Sequence, residues 1–377
     1  MPKILNELQL DFDDVLIAPQ RSTLTSRSEI IIERTFYLYN SPRIWHGVPI
    51  ICANMSFASF RMANALSKYK MITCLHKYHT IEQLVEYFNQ YPDNIDYVFV
   101  SIGYKKSDLN NLLSFYEKTK IQPNICIDVP NGHMDVFVKY CKRVRSHFPE
   151  SIIIAGNVTN TSSTQELLIY GGVDIVKCGV GGGSACSTRF VTGCGAPQLS
   201  CCLDNAYVAH GLQNGDKKLG LICSDGGHKN TGDVCKALCA GADFCMLGGI
   251  FAGTDACDGD WEYEYMAGKG TQHNFWQIPD PGYPTEKRNK SFTYYGMSTH
   301  HSQELYEDSI KDYRASEGTK ITIPYKGTTS QAAQELLGGI RSCCCYIGAD
   351  STKHMSRCAQ FGRVNSIHSN KYPILGL

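Results

Sequence analysis

A short apolar run leads into a glycine-rich loop in the stretch Val173-Asp-Ile-Val-Lys-Cys-Gly-Val-Gly-Gly-Gly-Ser-Ala-Cys-Ser-Thr-Arg189. The apolar run predicts a buried strand, and the glycines from Gly179 to Gly183 let the backbone approach a ligand or ion closely. Cys186 follows at once, with hydroxyl side chains and Arg189 beside it. Because nearby cations favour the nucleophilic thiolate, this loop is the strongest candidate for a catalytic site.

The same order of an apolar run and an amphipathic stretch recurs along the chain. The apolar runs predict strands at 48–52, 71–75, 96–101, 124–128, 151–155, 174–178, 219–224 and 243–247. The stretches between them predict helices at 60–68, 80–90, 105–118, 133–147, 161–170, 201–210 and 232–240. Continuous apolar strands are typical of parallel sheets covered on both faces, so this α/β alternation predicts a (β/α)8 TIM barrel.

A doubly wound sheet is the competing architecture. Its G-x-G-x-x-G fingerprint is absent, because Gly179 and Gly181 are followed by Ser184 where a third glycine is needed. We therefore expect a single barrel domain over residues 1–377. Residues 254–293 are rich in Gly, Pro, aromatic and charged residues without a clear period, which predicts a long mobile insertion over the site. The tail 361–377 is expected to be loosely ordered.

Composition narrows the class of protein. Lys+Arg and Asp+Glu both number 36, and this balance disfavours a nucleic-acid polymer or an anionic membrane as the main partner. The first residues lack the apolar core of a signal peptide, and no run is long enough to span a bilayer. The chain has 18 cysteines, which without a secretory signal favours a reducing, cytoplasmic setting.

Most free cysteines are small buried hydrophobes, and this is the competing interpretation for the cysteines near the loop. Cys178, Cys194, Cys201 and Cys202 are assigned to packing. No two cysteines are spaced C-x-x-C, which disfavours zinc-ribbon and thioredoxin-like sites.

A barrel gives the remaining polar motifs one location, because catalytic groups lie on the loops after the strands. The motifs at these positions are Asn54, His76-Lys77, Gly103, Asp128–Gly132, Asn157, the Cys186 loop, Asp225–Gly227 and Gly248–Gly249. The last two of these loops, Asp225–Gly227 and Gly248–Gly249, are expected to hold phosphate and to open short helices. Asp225 suits the two hydroxyls of a ribose, although an Asp-Gly pair is also common in ordinary turns.

Two motifs resemble those of the IMP dehydrogenase/GMP reductase family. The first is Gly181-x-Gly-Ser-x-Cys186-x-Thr188-Arg189, and the second is Tyr313-Arg-Ala-Ser-Glu-Gly318. An opening Asp-Phe-Asp-Asp-Val-Leu segment and the later Leu337-Gly-Gly-Ile-Arg-Ser342 also match, so the resemblance runs from about Leu8 to Val364.

The resemblance implies an oxidoreductase that converts GMP and NADPH to IMP, ammonia and NADP+ in purine salvage. Cys186 would add to C2 of the purine and form a covalent thioimidate. Thr188 and Glu317 would relay the proton that the departing amino group needs. By its residue type alone, a Glu on a loop is usually a solvated charge.

Two other functions compete with this one. An IMP dehydrogenase would oxidise IMP to XMP with NAD+, but that branch carries an inserted CBS module and an Arg-Tyr pair on its flap. Here 105–121 joins two strands directly, and Glu317 occupies the flap motif. A non-catalytic purine-nucleotide sensor is the third hypothesis. The joint presence of Cys186, Thr188 and Glu317 disfavours it.

The resemblance also implies binding residues. The nucleotide would contact Ser184, Asp225, Gly226, Gly227, Gly248, Gly249, Gly296, Met297, Ser298, Arg314, Ala315, Ser316, Glu317 and Gly318. The cofactor would contact Ser26, Arg27, Lys77, Asp128, Val129, Pro130, Val180, Gly181, Met297, Tyr313, Arg314, Ser342 and Cys343. A K+ ion would be held by the carbonyl oxygens of Gly181, Gly183, Cys186 and Arg189.

The family also implies a homotetramer, and this chain departs from its pattern at two places. Gly182 stands where family members carry proline, which leaves the cation loop less preorganised. Cys343, Cys344 and Cys345 stand where small hydroxyl-bearing residues line a cofactor contact, and packing is the competing role for Cys344 and Cys345.

Overall fold

Eight parallel strands close into a barrel in the computed structural model, which describes residues 4, 6–215, 217–267, 285–296, 299 and 315–365. In chain order the strands are β1 Val15–Ile17, β2 Arg34–Tyr37, β3 Ile44–Gly47, β4 Ile50–Cys52, β5 Ile72–Leu75, β6 Val98–Ile102, β7 Asn124–Asp128, β8 Ile153–Val158, β9 Ile175–Cys178, β10 Gln213–Asn214, β11 Lys217–Lys218, β12 Leu221–Asp225, β13 Phe244–Leu247, β14 Asp260–Ala267, β15 Thr285–Tyr295, β16 Lys320–Pro324 and β17 Phe361–Arg363. The barrel order is β12-β13-β4-β5-β6-β7-β8-β9, and each neighbouring pair is parallel. All eight predicted barrel strands are present, and the predicted TIM barrel is confirmed.

Helices cover the outside of the barrel. They are α1 Phe60–Ser67, α2 Ile81–Gln90, α3 Lys106–Thr119, α4 Asp135–His147, α5 Thr161–Ile169, α6 Thr188–Thr192, α7 Gln198–Gly211, α8 Thr231–Cys239, α9 Thr329–Ile347 and α10 Met355–Cys358. The seven predicted helices correspond to α1–α5, α7 and α8. Local capping explains several starts: Thr80 accepts a hydrogen bond from the Gln83 backbone N–H (3.2 Å), and the Gln83 side chain accepts one from the Thr80 N–H (2.9 Å).

The helix that follows the eighth barrel strand in the described chain is α9, and it comes after a long excursion. Strands β14, β15 and β16 form an antiparallel sheet between β13 and α9. The arms of the predicted insertion are therefore strands, while residues 268–284 lie outside the described residues.

The tail is ordered at its start, contrary to expectation. Phe361–Arg363 pairs with Val15–Ile17, and the Val364 N–H donates to the Asp14 carbonyl at 2.9 Å. Sequence reasoning missed this strand because the pairing joins the two ends of the chain. Residues 366–377 lie outside the described residues.

The apolar core has two layers. The larger lies between the strands and the helices, and the smaller fills the barrel, where the β2–β3 hairpin closes one end with Phe36 and Trp45. Trp45 Nε1 donates to the Asp96 carbonyl at 2.9 Å, which anchors this plug. In the part of the chain that is described, no helix is both long and apolar enough to cross a membrane.

All eighteen cysteines are free thiols. Cys178, Cys201 and Cys202 are buried, as the packing interpretation predicts. Cys194 is exposed, so its assignment to packing is wrong. Cys194 lies on a surface loop after α6, and the residues around it in the sequence do not reveal that it is exposed.

Candidate active site

A pocket of about 640 Å³ opens at the end of the barrel where the parallel strands finish. The predicted residues that line it are Asp128, Val129, Pro130, Val180, Gly181, Gly183, Ser184, Cys186, Thr188, Asp225, Gly226, Gly227, Gly248, Gly249, Gly296 and Glu317. Strands β7, β9, β12 and β13 thus bring together loops that are far apart in the sequence, as barrel geometry requires.

Cys186, Thr188 and Glu317 form a continuous hydrogen-bonded chain in this pocket. The Cys186 thiol donates to Thr188 Oγ1 at 3.2 Å, and the Thr188 hydroxyl donates to Glu317 Oε2 at 2.8 Å. Cys186 is partly exposed. A proton can therefore pass between the sulfur and the carboxylate through one hydroxyl group.

Backbone bonds hold the segment that carries Glu317 against the cysteine loop. The Ser187 N–H donates to the Glu317 carbonyl at 3.2 Å, and the Thr319 N–H donates to the Ala185 carbonyl at 3.0 Å. A Cβ atom at Gly296 would lie 2.8 Å from the Ala185 carbonyl oxygen, so a side chain there would push this layer apart. The 129 residues of chain separation between Thr188 and Glu317 are bridged by these few contacts.

The glycine-rich loop depends on two close approaches. Gly179 has φ +138°, and a Cβ atom there would overlap the Asp225 carbonyl oxygen. Gly181 has φ +82°, and a Cβ atom there would lie 2.5 Å from Arg189 Cγ. Both positions therefore require glycine for conformation and for space.

Arg189 anchors the loop to the start of the chain. Its guanidinium donates to Asp11 Oδ2 at 2.9 Å and to the Ala196 carbonyl at 2.5 Å. The other Asp11 oxygen accepts from the Gln198 N–H at 2.7 Å. The opening acidic segment therefore supports the cysteine loop, and Arg189 has a structural role in it.

Lys177 is a residue of the site that sequence reasoning missed. Its side chain is buried under the pocket, and its ammonium forms ion pairs with Asp128 and, at 3.3 Å, with Asp225. Burial disfavours the charged ammonium, but the two carboxylates outweigh that effect and hold the pKa of Lys177 above its usual value. Asn157 Nδ2 also donates to Asp225 Oδ2, at 2.9 Å.

The two carboxylates share this one cation. Burial alone would raise the pKa of Asp128, but the Lys177 charge outweighs burial and lowers it. Lys177 lies within an otherwise apolar strand, Ile175–Cys178, and belongs to no motif that predicts a role in the site. A lysine among continuous apolar residues of a predicted inner strand was the available signal.

A second lysine, Lys326, lines the pocket near the glycines expected to bind phosphate. Lys326 Nζ donates to the Gly249 carbonyl at 2.6 Å. Ser184 Oγ and the Tyr294 hydroxyl are 3.1 Å apart beside them. Burial lowers the pKa of Lys326 below its usual value. Neither Lys326 nor Tyr294 belongs to a motif that predicts a role in the site.

The prediction that both phosphate loops open short helices is correct for only one of them. Asp225–Gly227 precedes α8, whose first residue is Thr231. Gly248 starts a turn instead, in which its carbonyl accepts from the N–H groups of Phe251 (3.1 Å) and Ala252 (3.0 Å). The chain then leaves for the antiparallel sheet, so this turn does not continue as a helix.

Several predicted cofactor residues lie away from the pocket lining. Ser26 caps a 3-10 helix formed by Arg27–Glu29, which packs against α9, the helix that carries Ser342 and Cys343. Lys77 is exposed, with Nζ 5.1 Å from the centre of the Tyr78 ring, and its charge lowers the pKa of Asp128 slightly alongside the larger effects of burial and Lys177. These positions remain predicted cofactor contacts.

The remaining predicted substrate residues flank Glu317 or fall outside the described chain. Ala315, Ser316 and Gly318 lie on the same segment as Glu317, and Gly318 forms a β-bridge with Cys186. The predictions for Met297, Ser298, Tyr313 and Arg314 lie outside the described residues.

The predicted cation donors share one loop and the first turn of α6. The Cys186 N–H donates to the Gly183 carbonyl at 3.0 Å, which leaves that oxygen a second lone pair. The Gly182 carbonyl accepts from the Gly227 N–H at 2.8 Å, so the loop is braced where family members carry proline. Carbonyl oxygens suit a hard cation, and the donor set is chemically compatible with K+.

Comparison with known proteins adds to this geometry. A family model described as the IMP dehydrogenase / GMP reductase domain matches residues 9–370. The chain belongs to this family. The family membership expected from the motifs is therefore confirmed.

Curated relatives in the IMP dehydrogenase/GMP reductase family cover almost the whole chain. The GMP reductase of Onchocerca volvulus is 41% identical, with 99% of this chain and 95% of the relative aligned. The GMP reductase of Phytophthora infestans is 42% identical over 97% of this chain and 93% of its own length. GMP reductase 1 of Homo sapiens is 40% identical over 99% of this chain and 100% of its own length.

The connection between β6 and β7 is the place where an inserted module was not expected. Helix α3 alone joins β6 to β7, with short turns at either end. The predicted absence of a CBS module between these strands is confirmed.

Proposed function

We propose that this protein is a GMP reductase, which converts GMP to IMP and ammonia with NADPH as the reductant. The observation that carries the proposal is the Cys186–Thr188–Glu317 chain inside the pocket. The names of the curated relatives support the choice of reaction. Neither competing function has an observation of its own in its favour.

The hydrogen bonds supply a route for activating the nucleophile. Glu317 accepts a proton from Thr188 as Thr188 accepts one from the Cys186 thiol, so that the sulfur becomes a thiolate. The thiolate then adds to C2 of the purine. The chain of three groups needs no other base for this step.

The same route returns the proton to the leaving group. Glu317, now protonated, delivers its proton through Thr188 to the 2-amino group, which departs as ammonia and leaves the thioimidate on Cys186. The thiol hydrogen and the amino group thus account for all atoms of the ammonia. The hydride that a bound cofactor would supply takes the place of sulfur at C2, and the electron pair of the carbon–sulfur bond leaves with the sulfur. IMP is released, and the Cys186 thiolate takes up one proton from water to become the thiol again.

In this proposal the nucleotide lies between Asp225 and Lys326, which both line the pocket. Asp225, held by Lys177 and Asn157, is placed to accept hydrogen bonds from the ribose hydroxyls. Ser184, Gly248 and Gly249 lie on the phosphate side, where Lys326 supplies a positive charge. Backbone N–H groups at such loops bind phosphate, and a lysine balances its charge.

A nicotinamide cofactor supplies the hydride when it is bound. Asp128 and Pro130 line the pocket beside the cysteine loop, and the charge of Lys77 reaches Asp128. These residues would hold and orient the cofactor, with Lys77 favouring the anionic groups of NADPH. The carbonyl oxygens of the cysteine loop would hold K+ and stiffen the loop around Cys186.

Other parts of the proposal have family support only. A homotetramer and a role in purine salvage follow from the resemblance to GMP reductases. A cytoplasmic location is consistent with eighteen free thiols.

The test is a comparison of two substrate pairs with the same purified protein. We expect GMP with NADPH to be consumed and IMP to appear by chromatography, with no reaction when IMP is supplied with NAD+. NADH formation from IMP and NAD+, without oxidation of NADPH by GMP, would instead assign the protein as a dehydrogenase. GMP binding without turnover in either assay would support the sensor.

A further inference from the structure

Three cysteines from two neighbouring helices meet on the outer side of the barrel, away from the lining of the pocket. Cys235 and Cys239 are one turn apart on α8, and Cys343 lies on α9. The Cys343 thiol interacts electrostatically with the thiols of both Cys235 and Cys239. We refer to these three residues as the thiol triad.

Helices α8 and α9 pack closely at this point, so their side chains face one another along the contact. A Cβ atom at Gly339 would overlap the side chain of Thr231, and Cys235 Sγ lies 4.0 Å from the Gly339 carbonyl oxygen. Thr231 and Cys235 are four residues apart on α8, as Gly339 and Cys343 are on α9. Residues four apart share a helix face, so the same contact surface continues from Thr231–Gly339 to the triad.

The three thiols differ in environment. Cys235 and Cys239 are buried, whereas Cys343 is partly exposed. The neighbouring thiols of Cys235 and Cys239 favour the Cys343 thiolate and hold the pKa of Cys343 below its usual value. Reactive cysteines combine thiolate character with access to solvent, and Cys343 has both.

We propose that the thiol triad is an oxidative modification site, in which Cys343 reacts with a hydroperoxide and forms a reversible disulfide with Cys235 or Cys239. The Cys343 thiolate attacks the peroxide oxygen, the O–O bond breaks, and a sulfenic acid and water (or an alcohol) form. The second thiol displaces the sulfenic hydroxyl group as water, which creates the S–S bond. Two thiols are oxidised, one peroxide is reduced, and a dithiol reductant reverses the change.

The experiment is peptide mapping of the full-length protein after brief treatment with hydrogen peroxide, alkylation of free thiols and non-reducing digestion with trypsin. Trypsin places Cys343 in peptide 342–353, Cys235 in 230–236 and Cys239 in 237–269. We expect peptide 342–353 linked to one of the other two, with the link lost after dithiothreitol. Fragmentation of the linked peptides identifies which of Cys343, Cys344 and Cys345 is bonded and, where peptide 237–269 takes part, which of Cys239, Cys245 and Cys257 is its partner.

Two variants complete the test. Cys343→Ser should abolish the link, whereas Cys345→Ser, a partly exposed cysteine of the same helix, should leave it unchanged. Absence of any such link in the wild-type protein, or a link that persists in Cys343→Ser, would overturn the proposal. Because the wild-type map alone can refute it, the test does not depend on the folding of a variant.

Discussion

Replacing Lys177 with methionine removes the one cation that Asp128 and Asp225 share, while keeping a side chain of similar length. Breaking a buried ion pair by deleting one partner costs about 3–5 kcal/mol, since a charge is left uncompensated. Here the two carboxylates are 34% and 20% exposed, so water partly solvates them after the substitution. We therefore expect Lys177→Met to lower the free energy of unfolding by about 3 kcal/mol, at the lower end of that range.

The matched control is Lys118→Met, which removes an ion pair of 2.8 Å with Glu82 whose side chains are 50% and 72% exposed. Exposed pairs contribute about 0–1 kcal/mol, so this variant should hardly differ from the wild type. Both are measured by urea unfolding at pH 7. There the Lys177 contribution is complete, because a raised lysine pKa loses its stabilisation only as pH rises through the folded value. The Asp128 contribution is also complete, because a lowered carboxyl pKa loses it only as pH falls.

Equal losses in the two variants would refute the claim that Lys177 is an essential buried counter-ion. A further check is the double variant Lys177→Met with Asp128→Asn. It removes one of the two orphaned charges, so its loss should be smaller than the sum of the two single losses.

Three further predictions concern the relay, the phosphate and a partly buried histidine. Glu317→Gln keeps the hydrogen bond from Thr188 but cannot accept a proton, so kcat should fall about 10²–10⁴-fold with little change in the KM for GMP; unchanged kcat would remove Glu317 from the relay. Lys326→Met should raise the KM for GMP about 10–100-fold, as expected for one charge-assisted hydrogen bond, yet leave the KM for guanosine unchanged; an equal effect on both ligands would contradict a phosphate contact. Burial and the neighbouring His79 lower the pKa of His76 to about 3. As pH falls below about 6.5, only the unfolded chain takes up this proton, so the free energy of unfolding decreases by up to about 1.4 kcal/mol per pH unit. Urea unfolding at pH 7, 6 and 5 should show a correspondingly shallower loss for His76→Phe, and identical slopes would disprove that account.

The barrel could be predicted from local patterns because each inner strand is a continuous apolar run. Segments such as Ile153–Val158 and Phe244–Leu247 are buried on both faces, so hydrophobicity alone marks them. The helices between them carry amphipathic patterns and capping residues. Repetition then fixes the architecture, because few folds accommodate eight such units.

Elements that depend on distant pairing were harder to predict. Helix α9 contains Gly338 and Gly339 and a run of cysteines, all weak helix formers, and packing against α8 stabilises it. Strand β17 exists only because β1 lies beside it. Neither partner can be inferred from the local sequence.

The residues of the candidate site also divide into those that local motifs predict and those that only the fold reveals. Cys186 and Thr188 are near neighbours in a recognisable loop, and a family motif pointed to Glu317. Lys177 and Lys326 carried no motif of their own, and their roles emerge only when β9 and the segment after β16 are placed around the pocket. Spatial convergence of charges is not encoded in sequence spacing.

The central claim is that Cys186 performs a reductive deamination, and the most direct measurement is the stoichiometry of one reaction mixture. Purified protein is supplied with GMP and NADPH, and NADPH oxidation and ammonia release are followed together. Cys186→Ser is compared with Cys194→Ser, an exposed cysteine in a neighbouring loop. We predict one ammonia for each NADPH oxidised in the wild type and in Cys194→Ser, and neither product in Cys186→Ser. Ammonia release or NADPH oxidation that persists in Cys186→Ser, or that departs from equal amounts in the wild type, would contradict the account.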